Sequence, residues 1–269
     1  MPTDRFTFRT AAASVVMLGA LAGLPASART LATPAAQPAG EDLPSGWEVL
    51  ETYVKARGGA ERYLELEAIR AVGKFSMEMP MAMEGEVVRT EAAPNMIHMS
   101  IELGGMGTMV QATDGEVAWA IQPGSTEPVI LQGEMAQQML RRANFHDIVR
   151  PRERYESATV VGIEDVEGKP SYRVDLVDKH GESSVGFYSV ETGLQTKAMS
   201  RTSPNAEQFD QTSWFFDWKE IDGVMHPMTI RQQNQGNEFY IRFDSVEHDP
   251  ELDRSIFSPP VPETPAGEI

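Results

Sequence analysis

The period of the chain is plainest in Phe75-Ser76-Met77-Glu78-Met79-Pro80-Met81-Ala82-Met83-Glu84. Large apolar side chains alternate here with small or polar ones, and a strand places successive side chains on opposite faces. The period of two predicts a half-buried strand running from Ile69 to Glu84, with Met77, Met79, Met81 and Met83 on one face. Gly85 is expected to break it.

The same period continues on the C-terminal side. Met96 to Leu103 and Thr108 to Ala112 read as strands, and Asp114-Gly115 is a hairpin signal before a strand from Val117 to Gln122. Gly193, Pro204-Asn205, Asp222-Gly223 and Gln235-Gly236-Asn237 punctuate the second half at the spacing of an antiparallel meander. Two segments depart from period two. Ser45-Gly46-Trp47-Glu48 has capping-box spacing, with Trp47, Leu50 and Val54 on one helical face and Gly58-Gly59 as the stop. Between the two sets of strands, Met135, Met139, Leu140 and Ala143 recur at helical spacing while Gln137, Gln138, Arg141 and Arg142 are polar, which predicts an amphipathic helix over Glu134 to Phe145. Helices with about five strands on one side and about six on the other give an α+β fold. A meander of about 10–11 strands has to curl, because strongly twisted open sheets seldom stay flat at that width.

The ends read differently. Arg5 and Arg9 precede the apolar run Ala11 to Leu24, followed by Pro25 and Ala26-Ser27-Ala28. That is an export signal with cleavage expected after Ala28, too short for a membrane span. Residues 29–44 read as a flexible linker, 45–258 as the folded domain and 259–269 as a Pro-rich tail. The chain has 40 acidic against 23 basic residues, a net charge of −17, and loss of Asp4, Arg5 and Arg9 with the leader takes this to −18. Such a surface repels nucleic acid and anionic membranes. With Cys 0, disulfides and thiolate metal sites are excluded.

Catalytic patterns are missing. His98, His146, His180, His226 and His248 form no H-E-x-x-H pair, Ser183 lies outside a G-x-S-x-G elbow, and Gly104-Gly105-Met106-Gly107 lacks phosphate-loop spacing. The methionines leave three readings open: ordinary core, a deformable lining for an irregular apolar ligand, or thioether ligands for Cu(I), with His98 beside Met99. Same-face residues on a strand lie about 6.6 Å apart, a poor chelate unless the strand bends at Pro80. Trp214, Phe216 and Trp218 share a face by the same alternation and read either as core or, with Trp119, as the lining of a cavity.

Taken in order, several landmarks resemble the LolA/LolB-like family of periplasmic lipoprotein-sorting and lipid-handling proteins. These are Pro94-Asn95 opening a strand, Asp114-Gly115 followed by Trp119 and Pro123, the inserted helix, and the closing Phe257-Ser258-Pro259-Pro260. The opening Tyr53-Val54-Lys55-Ala56-Arg57-Gly58-Gly59 is similar to the start of a broader branch of sorting-protein-like sequences. The resemblance implies a strongly curved antiparallel half-barrel with helices lying across its concave face, and acyl chains as ligands. Well-studied carriers place an Arg immediately before the Pro-Asn, where this chain has Ala93, and no lipid-anchoring Cys follows the leader. The expectation is a periplasmic, non-catalytic binding protein for lipid or lipoprotein acyl chains, with no cofactor, no nucleic acid, no stable membrane insertion, and a protein partner in the envelope. Its cavity would be lined by Met77, Met79, Met81, Met83, Trp119, Met135, Met139, Leu140, Trp214, Phe216 and Trp218. The alternatives are an interaction module with a filled core and a methionine-based Cu(I) binder.

Overall fold

The structure, a computed structural model, describes residues 43–77, 82–201, 208–234 and 236–260. The leader and most of the linker and tail lie outside these residues, as do Met79 and Met81.

The first element is α1, Gly46–Ala56, and its capping box forms as the spacing predicts. The Ser45 hydroxyl accepts from Glu48 N–H at 3.2 Å, and the Glu48 carboxylate accepts from Ser45 N–H at 2.7 Å. This satisfies two donors that the first turn leaves orphaned. A Cβ at Gly46 would lie 2.4 Å from the Ala158 backbone, so only glycine lets the start of α1 seat against the sheet. A short α2, Ala60–Leu64, follows. Six strands come next: β1 Ala68–Met77, β2 Met83–Ala92, β3 Met96–Glu102, β4 Thr108–Thr113, β5 Ala118–Ile121 and β6 Val129–Ile130. Then come α3, Gly133–Arg142, a 3₁₀ turn at Asp147–Val149, and α4, Pro151–Arg154. Seven strands complete the sheet: β7 Tyr155–Val166, β8 Lys169–Asp178, β9 Ser183–Ser189, β10 Gln195–Ser200, β11 Gln211–Ile221, β12 Val224–Asn234 and β13 Asn237–His248.

All of them belong to one sheet of 13 strands, in the order β6-β5-β4-β3-β2-β1-β13-β12-β11-β10-β9-β8-β7. Each half is a meander of neighbours in sequence. Among the described strands, the two halves of the sheet meet where β1 pairs antiparallel with β13, from Ile69 opposite His248 to Met77 opposite Phe239. The end strands β6 and β7 do not pair, so the sheet is an open half-barrel, an α+β fold with helices on one face.

Three expectations need correction. Met77 and Met83 do not sit along one strand: Met77 ends β1, Met83 begins β2, and the two face each other across this antiparallel pair, with Met79 and Met81 outside the described residues. Gly85 does not end the strand. It sits within β2 opposite Phe75, where a Cβ would lie 2.3 Å from the Glu102 carbonyl oxygen of β3. Its role is close strand approach, not a turn. The count rises above ten or eleven because the two-residue β6 is too short to show a period and the second half holds seven strands.

The helices cover the concave face. Val49, Leu50 and Tyr53 of α1 bury against Val174, Leu176 and Tyr188. Tyr63 of α2 packs with Ile69, Val224, Phe145 and Val149, the last two from the chain after α3. Phe145 N–H donates to the Pro94 carbonyl at 3.0 Å, so a backbone bond ties the end of the α3 segment to the residue after Ala93. The convex face is covered at one end by a 3₁₀ turn, Arg254–Phe257, which buries Phe257 completely among Ala68, Ala92 and Met96.

Candidate ligand-binding cavity

Between α3 and the concave face lies an apolar cavity of about 340 Å³. Its floor comes from alternating positions of adjacent strands: Phe75 of β1, Met99 and Ile101 of β3, Met109 of β4, Phe215 of β11, Ile230 of β12, and Phe239 and Ile241 of β13. The register explains the grouping, since Phe75 pairs with Ile241, Ile241 with Ile230 and Ile230 with Phe215. Paired residues share a face. The roof is Leu131, Met135 and Met139. Polar groups, among them Arg89, Gln111, Gln138 and Gln232, complete the lining.

Two other cavities adjoin it through shared lining residues. One of about 290 Å³ shares Arg89, Arg142, Phe215 and Ile230 with it, and one of about 1050 Å³ shares Gln138, Arg142 and Gln211. Arg142 lines all three. The largest is mainly polar, with Arg141, Arg154, Glu134 and Glu182 around Tyr53, Tyr155 and Tyr188. Burial pushes the Tyr188 and Tyr155 hydroxyls up, so both remain neutral donors. Arg141 bridges Glu134 of its own helix and Glu182 of the β8–β9 turn, fixing α3 to the second meander. The concave face is thus a trough, apolar at one end and polar at the other.

The middle cavity holds two features that the sequence does not advertise. Arg57, at the C-cap of α1, is 6% exposed, with its guanidinium carbon 5.9, 5.7 and 5.3 Å from the ring centres of Tyr53, Tyr63 and Trp218. His226 lies in the same wall, 2.8 Å from His248 between Nε2 atoms, and burial together with the Arg57 charge and His248 pushes it down to about 3.

Nine of the eleven expected lining residues, all but Met79 and Met81, lie among the described residues, and they part company. Met135 and Met139 roof the apolar cavity, and Trp218 lines the middle one. Leu140, on the same helix, faces the large polar cavity instead, and Gln138, expected on the wet face, is the most buried residue of α3. Met77 and Met83 pack beside the apolar cavity with Phe75, Ile101 and Met109.

Trp119, Trp214 and Phe216 belong to the opposite face. Trp119 pairs with Ala112 and Ile130, is 3% exposed, and donates its indole N–H to the Phe257 carbonyl at 2.7 Å, so it anchors the C-terminal turn on the convex side. Trp214 and Phe216 flank the cavity-facing Phe215 and therefore point outward. There the Arg231 guanidinium stacks 4.1 Å from the Trp214 ring and 5.7 Å from that of Phe216, and Lys197 lies 5.7 Å from Trp214. Trp218 escapes this face because Asp217 takes a left-handed backbone conformation, φ 54, between it and Phe216. His98 turns its ring toward Trp119 on the convex side while Met99 lines the cavity, so the neighbours do not converge on one ion. No helix among the described residues is long and apolar enough to cross a membrane.

Neither a protein-family model nor a curated protein matches the sequence. Solved structures do match. A DUF1329 family protein from Desulfovibrio piger superposes with a TM-score of 0.56 at 12% identity, over 80% of this chain and 98% of that one. A LolA superfamily protein from Nitrosomonas europaea gives 0.53 at 15% identity, over 80% and 98%. A domain from Vibrio parahaemolyticus, described as an outer membrane lipoprotein-sorting protein domain, gives 0.52 at 10% identity, over 79% and 95%. At these identities the likeness is one of architecture, and by its architecture this chain has a LolA-like fold.

Proposed function

We propose that the protein is a periplasmic, non-catalytic carrier or sensor that holds acyl chains of lipids or lipoproteins. In this reading residues 1–28 are a leader cleaved after Ala28, 29–44 a linker, 45–258 the binding domain and 259–269 a tail. The observation that carries it is the apolar cavity of about 340 Å³ under α3, built from side chains of both meanders and roofed by Met135 and Met139. Methionine suits this place, since its unbranched thioether repacks around variable shapes at small cost. The LolA-like fold and the lipoprotein-sorting description of the Vibrio domain support the same ligand class. An envelope protein that delivers or accepts the chain would be the partner.

The test is to purify the mature protein from the periplasm, extract it with organic solvent and identify what comes off by mass spectrometry, then titrate fatty acids of increasing length. Burial stabilises by about 0.8 kcal/mol per methylene, so affinity should rise about fourfold for each added methylene until the cavity is filled. An affinity independent of chain length would exclude an acyl site.

A further inference from the structure

Arg57 is nine-tenths buried in a protein of net charge −17, yet it makes no ion pair among the described residues. One nitrogen donates to the Tyr53 hydroxyl at 3.2 Å, while Nε is buried without a partner. The Trp218 indole N–H, on the ring 5.3 Å from the guanidinium carbon, is likewise buried and unpaired. Both residues line the cavity of about 290 Å³ that adjoins the apolar one. Of the carboxylates in that wall, Glu91 is engaged by Arg89, and Asp147 lies in the field of Arg154. A buried cation without a counter-charge and a buried N–H without an acceptor are both costly. Three aromatic faces offset part of the first cost through the ring quadrupole. They offer nothing to the two orphaned N–H groups.

We propose that Arg57 and Trp218 form a subsite for the anionic end of an amphiphile, a carboxylate or a phosphate monoester, whose acyl chain lies in the adjoining apolar cavity. The inference rests on the acyl-chain reading above and adds the head-group class to it. The chemistry fits, since a guanidinium presents a planar fork matched to carboxylate and phosphate oxygens, and an indole N–H donates one further bond to the same group. The geometry of the trough fits too. Phe215 and Ile230 are common walls of the two cavities, so a chain entering the apolar end carries its head past them toward Arg57. In the same wall burial, and after it the Arg57 charge, oppose protonation of His226.

The experiment is calorimetric titration of the mature protein with dodecanoate, dodecyl phosphate, dodecanol and inorganic phosphate, each amphiphile kept below its aggregation concentration. Dodecanoate, dodecyl phosphate or both are expected to bind at least tenfold more tightly than dodecanol, and the stronger of the two names the head group. Arg57→Gln should bring the anionic ligand to within about threefold of dodecanol while leaving dodecanol unchanged. Trp218→Phe keeps the ring and loses only the N–H, so it should cost the anionic ligand three- to tenfold and the alcohol nothing, and it decides the matter if Arg57→Gln fails to fold. Equal affinity for anion and alcohol, or a preference that survives in the folded variants, overturns the subsite and leaves Arg57 as a cation held by its three rings. Arg57-dependent binding of inorganic phosphate without binding of any amphiphile would keep the subsite and remove the acyl carrier. Binding of none of the four removes both.

Discussion

His226 of β12 and His248 at the end of β13 share one hydrogen bond, 2.8 Å between Nε2 atoms. The Asp222 carboxylate lies 3.7 Å from His248 Nδ1, and its charge favours the tautomer that carries the proton there and accepts from His226 at Nε2. Burial holds both imidazoles below their ordinary value, His226 at about 3. A base whose folded pKa lies below its unfolded value of about 6.5 contributes fully above that pH, and the contribution is lost as pH falls toward the folded value. Stability should therefore decline below pH 6.5, with a slope of at most about 1.4 kcal/mol per pH unit for each ring. Urea midpoints at pH 7.0 and 5.5 should differ in the wild type and differ less in His226→Leu. An identical pH response in the variant would remove the pair as its source.

Filling the roof of the apolar cavity tests what the space is for. Met139→Trp points a larger apolar group into it from α3. Binding of a fluorescent fatty-acid probe should fall at least tenfold. Because the added ring enters open space, not packed core, the unfolding free energy should change by less than about 1.5 kcal/mol. Unchanged probe affinity would place the chain elsewhere in the trough.

Trp119 tests the convex side. Trp119→Phe removes the indole N–H that the buried Phe257 carbonyl accepts. An unsatisfied buried acceptor costs about 1–3 kcal/mol, so the denaturation midpoint should drop accordingly and the segment around Phe257 should become more sensitive to protease. Probe affinity should stay within twofold, since the ring is on the face away from the cavity.

Arg231→Met makes the same separation in the second meander. It deletes the guanidinium stacked on Trp214 and Phe216 and its pairing with Glu167, at an expected cost of about 1–2 kcal/mol. Fatty-acid binding should again be unaffected. A loss of binding without a loss of stability would return Trp214 and Phe216 to the ligand site.

How far the sequence reveals this architecture depends on what each segment's pattern can distinguish. The antiparallel sheet, the capped first helix and the inserted amphipathic helix are legible, because period two, capping-box spacing and helical recurrence are each set by local geometry. The methionine run misleads because antiparallel pairing preserves parity: Met77 and Met83 share a face whether they lie along one strand or opposite each other on two. Trp214, Phe215 and Phe216 mislead for another reason. Both faces of β11 carry aromatics, one packed on cations and one on the cavity, so alternation cannot say which is inside. Phe239, Ile241 and Ile230 do alternate with polar neighbours and could have been added to the lining from pattern alone. Arg57 could not, since its partners come from α1, α2 and β11 and only the tertiary fold brings them together.

The single seam between β1 and β13 also has a kinetic side. Every other strand pair in the sheet joins neighbours in the chain, so each meander can zip up from its own turns. The seam has to wait for Asn237–His248 to find Ala68–Met77 across nearly the whole domain. Closing so long a loop adds little at equilibrium, about 0.6 kcal/mol for each doubling of length, but non-local pairing of this kind slows the search. The cavity is floored by residues from both sides of the seam, Phe75 on one and Ile241 on the other, so the pocket is complete only once the seam has formed.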